Sequence, residues 1–137
     1  MLIVRPVKDK VFQEKLCKLA QTTYEATAFA YFAANTEDLG DSYTSYIGLV
    51  QFDIDEKGAK LVSVDMMPDV DDMEAMIIMG RSLMCFLYRD LHLKTLRATD
   101  GIDTKYCKAF GLREKDGIFN IDLEDFYASP CKYNGLA

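Results

Sequence analysis

The chain has 137 residues, of which half are apolar and 28% are charged, and its formal net charge at pH 7 is −6. A chain of this length buries about two thirds of the surface that it exposes when unfolded, so we expect one domain over residues 1–137. Nucleic acid and anionic membranes are disfavoured as partners, because both are bound through fields of Lys and Arg.

Cysteine usage and the N-terminus indicate a compartment. Met1–Val4 is followed at once by Arg5 and Pro6, which is not the pattern of a signal peptide. No apolar run approaches the roughly 18 residues of a membrane span. The four cysteines show no CxxC spacing, and His92, the one histidine, is far in sequence from any cysteine pair. We therefore expect reduced thiols in the cytoplasm and no metal site.

The first part of the chain predicts a short strand, an amphipathic helix and two further strands separated by a polar loop. The helix is predicted because Phe12, Leu16 and Leu19 recur at spacings of three and four. The loop is rich in Asp, Gly and Ser. In chain order, these elements are strand Leu2–Arg5, helix Lys8–Tyr24, strand Thr27–Ala34, loop Asn35–Ser45 and strand Tyr46–Ile54.

A fourth strand begins at Lys60 and ends at Pro68. The residues over Val62–Met67 alternate with the two-residue period of a strand, and β-branched residues start it. A tight turn at Asp55–Gly58 connects it to the third strand, so the two are predicted to form an antiparallel hairpin.

A long apolar helix follows the proline. Asp71 and Glu74 have the spacing of a capping box, and the helix is expected to continue to about Asp90. Gly80 inside this helix costs about 1 kcal/mol relative to Ala, which indicates close packing against a strand. Apolar residues lie on more than one side of the helix, so it is either covered on both faces or part of a self-association surface of a homodimer.

The last part of the chain predicts a fifth strand parallel to the fourth, a short helix and a sixth strand. A parallel pair needs a crossover, and the long helix supplies it. The expected fold is therefore α/β (α+β), with a single mixed, mostly antiparallel sheet of about six strands, a central parallel βαβ unit and helices on both faces. These elements are strand Leu93–Thr99, cap Asp100–Thr104, helix Lys105–Phe110 with Gly111 as its left-handed stop, and strand Ile118–Leu123.

Three local motifs add to this order of elements. VDMMPD at residues 64–69 resembles a V-x-P that ends a fourth strand, with Met66 at the valine position and Pro68 at the proline. GRSLM, Gly80–Met84, resembles a GRALL motif, and YCKAFGL, Tyr106–Leu112, is similar to FYEKLGF. Together, over nearly the whole chain, they resemble the GCN5-related N-acetyltransferase (GNAT) family.

The resemblance implies a binding site for acetyl-CoA in a wedge where the fourth and fifth strands splay apart. In the family, the backbone of the fourth strand pairs with the pantetheine arm, a role that falls here on Met66 and Met67. The pyrophosphate lies on the amides that open the following helix, where the helix dipole is positive. Gly80 and Asp100 occupy further motif positions that the resemblance assigns to the cofactor.

The phosphate-binding turn departs from the family pattern of Arg/Gln-x-x-Gly-x-Gly/Ala. Counted from Pro68, the matching stretch is Asp71–Met76, which has no glycine and no cation; counted from GRSLM, it is Ala75–Gly80, which keeps only the last glycine. Both registers stay open. In either, carboxylates surround the helix start and repel a pyrophosphate, namely those of Asp69, Asp71, Asp72 and Glu74.

The sequence also departs from the family pattern at the position of the proton donor. The family tyrosine that often protonates the departing CoA thiolate falls on Cys107, with Tyr106 one place earlier at an apolar position. A thiol can donate that proton, although a helical cysteine is also a common core residue. Asp65 is the candidate general base, because it is the carboxylate nearest to the wedge in sequence, and its alternative is a solvated residue on the outer face of the strand.

Two functions follow from these residues. The first is an acyl-CoA-dependent N-acyltransferase with a degenerate CoA phosphate site, which acts on a small-molecule or peptide amine. The alternative is a catalytically inactive module of the same fold that does not bind CoA and instead binds another ligand or itself.

Overall fold

A computed structural model describes residues 1–36 and 44–128 of the chain. The middle of the predicted loop Asn35–Ser45 therefore lies outside the described residues, as does Cys131. In chain order the elements are β1 Leu2–Pro6, α1 Lys10–Ala20, β2 Phe29–Thr36, β3 Thr44–Asp55, β4 Gly58–Met66, α2 Met73–Arg89, β5 Thr95–Ala98, α3 Thr104–Phe110, β6 Arg113–Lys115, β7 Ile118–Asp122 and α4 Leu123–Ala128.

The strands form one mixed sheet in the order β1-β2-β3-β4-β5-β7-β6. The β4–β5 pair is parallel and every other pair is antiparallel. This confirms the predicted fold class, the β3–β4 hairpin and the βαβ unit. Within residues 1–36 and 44–128 the sheet has seven strands instead of about six, because β6 was not predicted.

The hairpin that brings in β6 turns at Asp116 and Gly117, where φ is 55° and 82°. Positive φ at both central residues is the conformation that favours Asp-Gly in a two-residue hairpin turn. The strand itself is three residues long, Arg113–Lys115, and all three are exposed, so it has no apolar alternation to predict it.

Helices cover both faces of the sheet, as predicted. On one face the buried side chains of α2, including Met76, Met79 and Leu83, share an apolar cluster with strand and α3 residues. On the other face Leu16 and Cys17 of α1 pack with residues of β2 and β3. Both helices bury one apolar stripe against the sheet.

Three helix boundaries show which local residues decide them. α1 ends at Ala20, earlier than the predicted Tyr24, because Gln21 adopts the left-handed conformation (φ 58°) and its N–H donates to the carbonyls of the preceding turn. The N-cap of α2 is Asp72, whose carboxylate accepts from the N–H of Ala75 at 3.1 Å. The predicted cap at Asp71 is thus wrong by one residue. α3 stops at Gly111 in the left-handed conformation (φ 102°), as predicted.

Gly80 packs against a helix and not, as predicted, against a strand. A Cβ placed on Gly80 would lie 2.4 Å from a ring carbon of Phe110 in α3. The missing side chain is therefore what allows α2 and α3 to approach each other. On the outer side of α2, Ile78 is 40% exposed, and the homodimer through this helix stays a prediction.

Among the described residues, none of the helices is long and apolar enough to cross a membrane. The cytoplasmic location stays a prediction.

Candidate active site

A gap opens between β4 and β5 partway along β4. The two strands pair at only three positions, from Ala59 with Leu96 to Leu61 with Ala98, although β4 continues to Met66. The last backbone contact across the pair is the N–H of Thr99 donating to the carbonyl of Leu61 at 3.1 Å. Beyond Leu61 the strands diverge, as the wedge of the resemblance requires.

A β-bulge lies where this pairing stops. On β3, Phe52 pairs with Leu61 and the next residue, Gln51, pairs with Ser63, so that Val62 is an extra residue in β4. A bulge of this kind bends its strand and changes the direction of the groups that follow. It therefore accounts physically for the divergence of β4 from β5.

The bulge also decides which backbone amides point into the gap. The N–H of Met67 donates to the carbonyl of Ile47 in β3 at 2.7 Å. Because consecutive amides of a strand point in opposite directions, the N–H of Met66 points away from β3 and into the gap. The carbonyl of Met67 accepts from the N–H of Val70, so both backbone groups of Met67 are bonded within the chain.

Tyr106 of α3 extends its hydroxyl to the gap. The side chain is only 5% exposed. Burial raises the pKa of Tyr106, nearby Asp103 and Asp65 raise it further, and the backbone of Met66, whose N–H faces the hydroxyl, partly opposes them. The hydroxyl is therefore protonated over the whole neutral range.

Asp65 lies beside this gap with its side chain on the α1 face of the sheet. Burial raises the pKa of Asp65, and the nearby Thr22 side chain opposes this rise in part. One carboxylate oxygen, Oδ2, is buried and has no hydrogen-bond partner within the described part of the chain. A buried, unpaired carboxylate oxygen is costly, so Asp65 does not lie on a solvated outer face.

The thiols near the site are buried. Cys107 is 1% exposed and lies in the apolar cluster beneath α2, where burial raises its pKa. Cys17 lies on the opposite face, where burial and the carboxylates of Asp65, Glu14 and Glu25 raise its pKa to about 11. Both thiols are neutral at pH 7, and three carboxylates lie near Cys17 in α1.

The position where α2 begins distinguishes the two possible registers of the phosphate-binding turn. The helix begins at Met73, so the register Asp71–Met76 spans the helix start, whereas Ala75–Gly80 lies inside the helix. The carboxylate of Asp72 occupies the N–H of Ala75. An unpaired amide at this end of a helix would otherwise be available to an anion.

Of the residues predicted from the sequence, Asp65 and Met66 meet at the gap. Gly80 lies inside α2 against α3, Cys107 lies in the core, and Asp100 is exposed in the turn between β5 and α3. Tyr106 was predicted from the sequence only as an apolar position, with no role at the site. A shift of the YCKAFGL motif by one residue relative to the family pattern is the signal that could have identified it.

A groove of about 300 Å³ lies next to the end of β4, on the α1 face, and is lined by Leu19, Tyr46, Met67 and Pro68. It is apolar apart from the hydroxyl of Tyr46, and Met67 adjoins Met66 at the gap.

Comparison with solved structures identifies the architecture. A chimera of the spermidine N-acetyltransferase SpeG from Vibrio cholerae and hSSAT superposes with a TM-score of 0.68 at 9% identity, over 93% of this chain and 98% of that chain. The dodecameric spermidine N-acetyltransferase from Vibrio cholerae in an intermediate state gives 0.66 at 9% identity, over 91% and 95%. A KacTA–DNA complex gives 0.61 at 11% identity, over 96% and 99%.

A scan against protein-family models found no match, and a search of curated proteins found none either. At identities near one tenth, the likeness to solved structures rests on the three-dimensional arrangement of the elements. In this chain β4 and β5 diverge beyond Leu61, as the resemblance implied. The chain therefore has the GCN5-related N-acetyltransferase fold.

Proposed function

We propose that the chain is an acyl-CoA-dependent N-acyltransferase that acts on a small-molecule or peptide amine. The observation that carries the proposal is the gap beyond Leu61, where the N–H of Met66, the hydroxyl of Tyr106 and the carboxylate of Asp65 come together. Tyr106 is a proton donor, Asp65 is a proton acceptor, and the N–H of Met66 faces the Tyr106 hydroxyl. Acyl transfer from a thioester to an amine requires a proton donor and a proton acceptor.

In the proposed reaction the amine nitrogen attacks the thioester carbonyl carbon, a C–N bond forms and the C–S bond breaks. Asp65 accepts the proton that the amine loses, directly or through water, and its raised pKa brings it closer to a working range near neutrality. Tyr106 donates a proton to the departing thiolate. Cys107 is the second candidate donor, and its burial is the argument against it.

We place the acceptor in the groove beside the end of β4, on the α1 face, and the charged residues near that face support an amine substrate. Asp65, Glu14 and Glu25 surround the end of α1 closely enough to raise the pKa of Cys17, and the chain as a whole carries −6. A negative potential raises the local concentration of a cation. The structural neighbours named as spermidine N-acetyltransferases act on an amine, and we propose the same class of acceptor here.

The start of α2 favours the second candidate function, a module of this fold that does not bind CoA. The Asp72 carboxylate already occupies the N–H of Ala75, and Asp71 and Glu74 beside it are exposed acids. A pyrophosphate would have to approach against all three charges. In this alternative the gap would be filled by Tyr106 and would have no catalytic role.

Two measurements test the proposal. Acetyl-CoA at millimolar concentration should raise the melting temperature, because a ligand that binds the native state alone must stabilise it. Release of free CoA should then depend on added amine, assayed with polyamines and with peptide amines, and should fall in Asp65→Asn. A melting temperature that acetyl-CoA leaves unchanged, together with no amine-dependent release, would favour the non-catalytic module.

A further inference from the structure

A network of buried amide side chains lies on the α1 face of the sheet. Gln51 of β3 is 0% exposed and Gln13 of α1 is 2% exposed. Each Gln51 nitrogen and oxygen is fully used. Its Nε2 donates to the carbonyl of Thr23 at 2.9 Å and to Oγ of Ser63 at 2.8 Å, and its Oε1 accepts from Nε2 of Gln13 at 2.9 Å and from the N–H of Glu25 at 3.0 Å.

Three bonds of this network hold the connection between α1 and β2. Gln51 binds the backbone at Thr23 and at Glu25, and Gln13 adds a bond to the carbonyl of Glu25 at 3.2 Å. Backbone groups in such a connection normally bond to water. Here three of them are bonded to two side chains whose own positions are set by α1 and β3, so the connection is fixed to the sheet.

The connection in turn contacts the proposed base. Ser63, which binds Gln51, and Asp65 are two residues apart in β4, so their side chains lie on the same face of the sheet as Gln51. Thr22, which directly precedes Thr23, is close enough to Asp65 to lower its pKa, and Glu25 raises the pKa of Cys17 together with Asp65. A displacement of Thr23 and Glu25 would therefore move both Thr22 and one of the charges near Asp65.

The side chain of Gln51 is not needed to form the sheet. Its backbone pairs with Ser63 through the β3–β4 ladder whatever side chain it carries, whereas the side-chain bonds reach Gln13, Thr23 and Glu25, which an apolar residue at this position would leave without their partner. The side chain of Gln51 instead holds the α1–β2 connection in one position.

We propose that Gln51 is a positioning residue of the acyl-transfer site, which holds the α1–β2 connection against Asp65 and so fixes the acceptor side before the amine binds. The inference rests on the proposed function. It assigns no chemical step to Gln51, which acts through Thr23 and Glu25.

The test compares Gln51→Met with Ser63→Ala. Gln51→Met keeps the shape of the side chain but loses its bonds to the α1–β2 connection. Ser63→Ala removes a bond of the same network that does not involve the α1–β2 connection. In Gln51→Met, hydrogen exchange of the amides over 22–28 should accelerate while the core strands stay protected. The KM for the amine should rise by about ten-fold or more, with the KM for acyl-CoA unchanged. Ser63→Ala should change neither exchange nor KM.

Two results would overturn the inference: faster exchange over 22–28 with an unchanged KM for the amine, or the same changes in Ser63→Ala. If Gln51→Met does not fold, Gln51→Glu replaces it, since the carboxylate still accepts from Glu25 but cannot donate to Thr23. A smaller rise in the KM for the amine supports the inference, and an unchanged KM overturns it.

A measurement without turnover separates this inference from the proposed function. The pKa of Asp65, followed by NMR, should fall toward its ordinary value in Gln51→Met, because water reaches the carboxylate once the connection is released. If the pKa of Asp65 falls in Gln51→Met but not in Ser63→Ala, and the protein acylates no amine, then Gln51 positions Asp65 but the proposed acyltransferase activity is refuted. An unchanged pKa of Asp65 would refute the positioning.

Discussion

Replacement of Asp72 by asparagine tests whether charge at the start of α2 limits CoA binding. Asparagine is as good an N-cap as aspartate, so the side chain still accepts from the N–H of Ala75 and the helix start is kept. Only the negative charge is removed. We expect acyl-CoA to bind more tightly to Asp72→Asn than to the parent chain.

The size of the effect follows from Coulomb's law. If a phosphate lies about 8 Å from the carboxylate in an effective dielectric of about 40, each pair of unit charges costs about 1 kcal/mol. A pyrophosphate carries about two charges, so removal of one carboxylate is worth about 2 kcal/mol, or roughly 30-fold in Kd. Asp72→Gly should gain more, since it also frees the N–H of Ala75, and glycine at an N-cap costs only a few tenths of a kcal/mol.

Isothermal titration calorimetry with acetyl-CoA at low salt measures the change. Asp116→Asn is the matched control, because Asp116 is exposed in the β6–β7 turn with φ 55°, a conformation that asparagine accepts. It alters the net charge by the same amount far along the chain from α2. Equal affinities for Asp72→Asn and Asp116→Asn would refute the electrostatic reasoning at this helix start.

The other predictions concern packing, proton donation and pH. Gly80→Ala places a Cβ 2.4 Å from the Phe110 ring. Overpacking, which costs about 1–3 kcal/mol, should exceed the gain of about 1 kcal/mol in helix propensity. Urea denaturation should therefore show a less stable protein, and the additional change Phe110→Leu should relieve the loss of stability. Tyr106→Phe should lower kcat by about 100-fold or more at saturating amine, and a larger loss in Cys107→Ala would assign proton donation to the thiol instead. Burial raises the pKa of Asp65 above its ordinary 3.8, so the native state binds this proton more tightly than the unfolded state and its ionisation destabilises the fold as pH rises through the folded pKa. Asp65→Asn should therefore raise the free energy of unfolding at neutral pH, with the gain lost below pH 3.8, and a gain that persists there would contradict the burial argument.

The order of elements could be predicted from the sequence because each one depends on local signals. Alternation in β4, the three- and four-residue spacing in α1 and the glycine stop of α3 all act over a few neighbouring residues. The one-residue error at the α2 cap is of the same kind. Several acids precede that helix, and only the backbone conformation decides that Asp72 is the one whose carboxylate meets the N–H of Ala75.

The candidate site could be predicted only in part, because it depends on pairings between distant residues. The bulge at Val62 exists only relative to β3, since it is the register with Gln51 and Phe52 that makes the residue an extra one. Tyr106 acquires its role by reaching Met66 across the gap. By contrast, the missed β6–β7 hairpin had a local signal in Asp116–Gly117.

The extra residue in β4 also sets how the chain tolerates changes in length. Because Phe52 pairs with Leu61 and Gln51 pairs with Ser63, loss of Val62 would leave a regular ladder in which Asp65 still faces α1 and the Met66 amide still faces away from β3. What the strand would lose is its bend at this point, and with it the cause of the divergence of β4 from β5. A deletion of one residue in β4 would thus preserve both faces of the strand while closing the gap in which we place the acyl-transfer site.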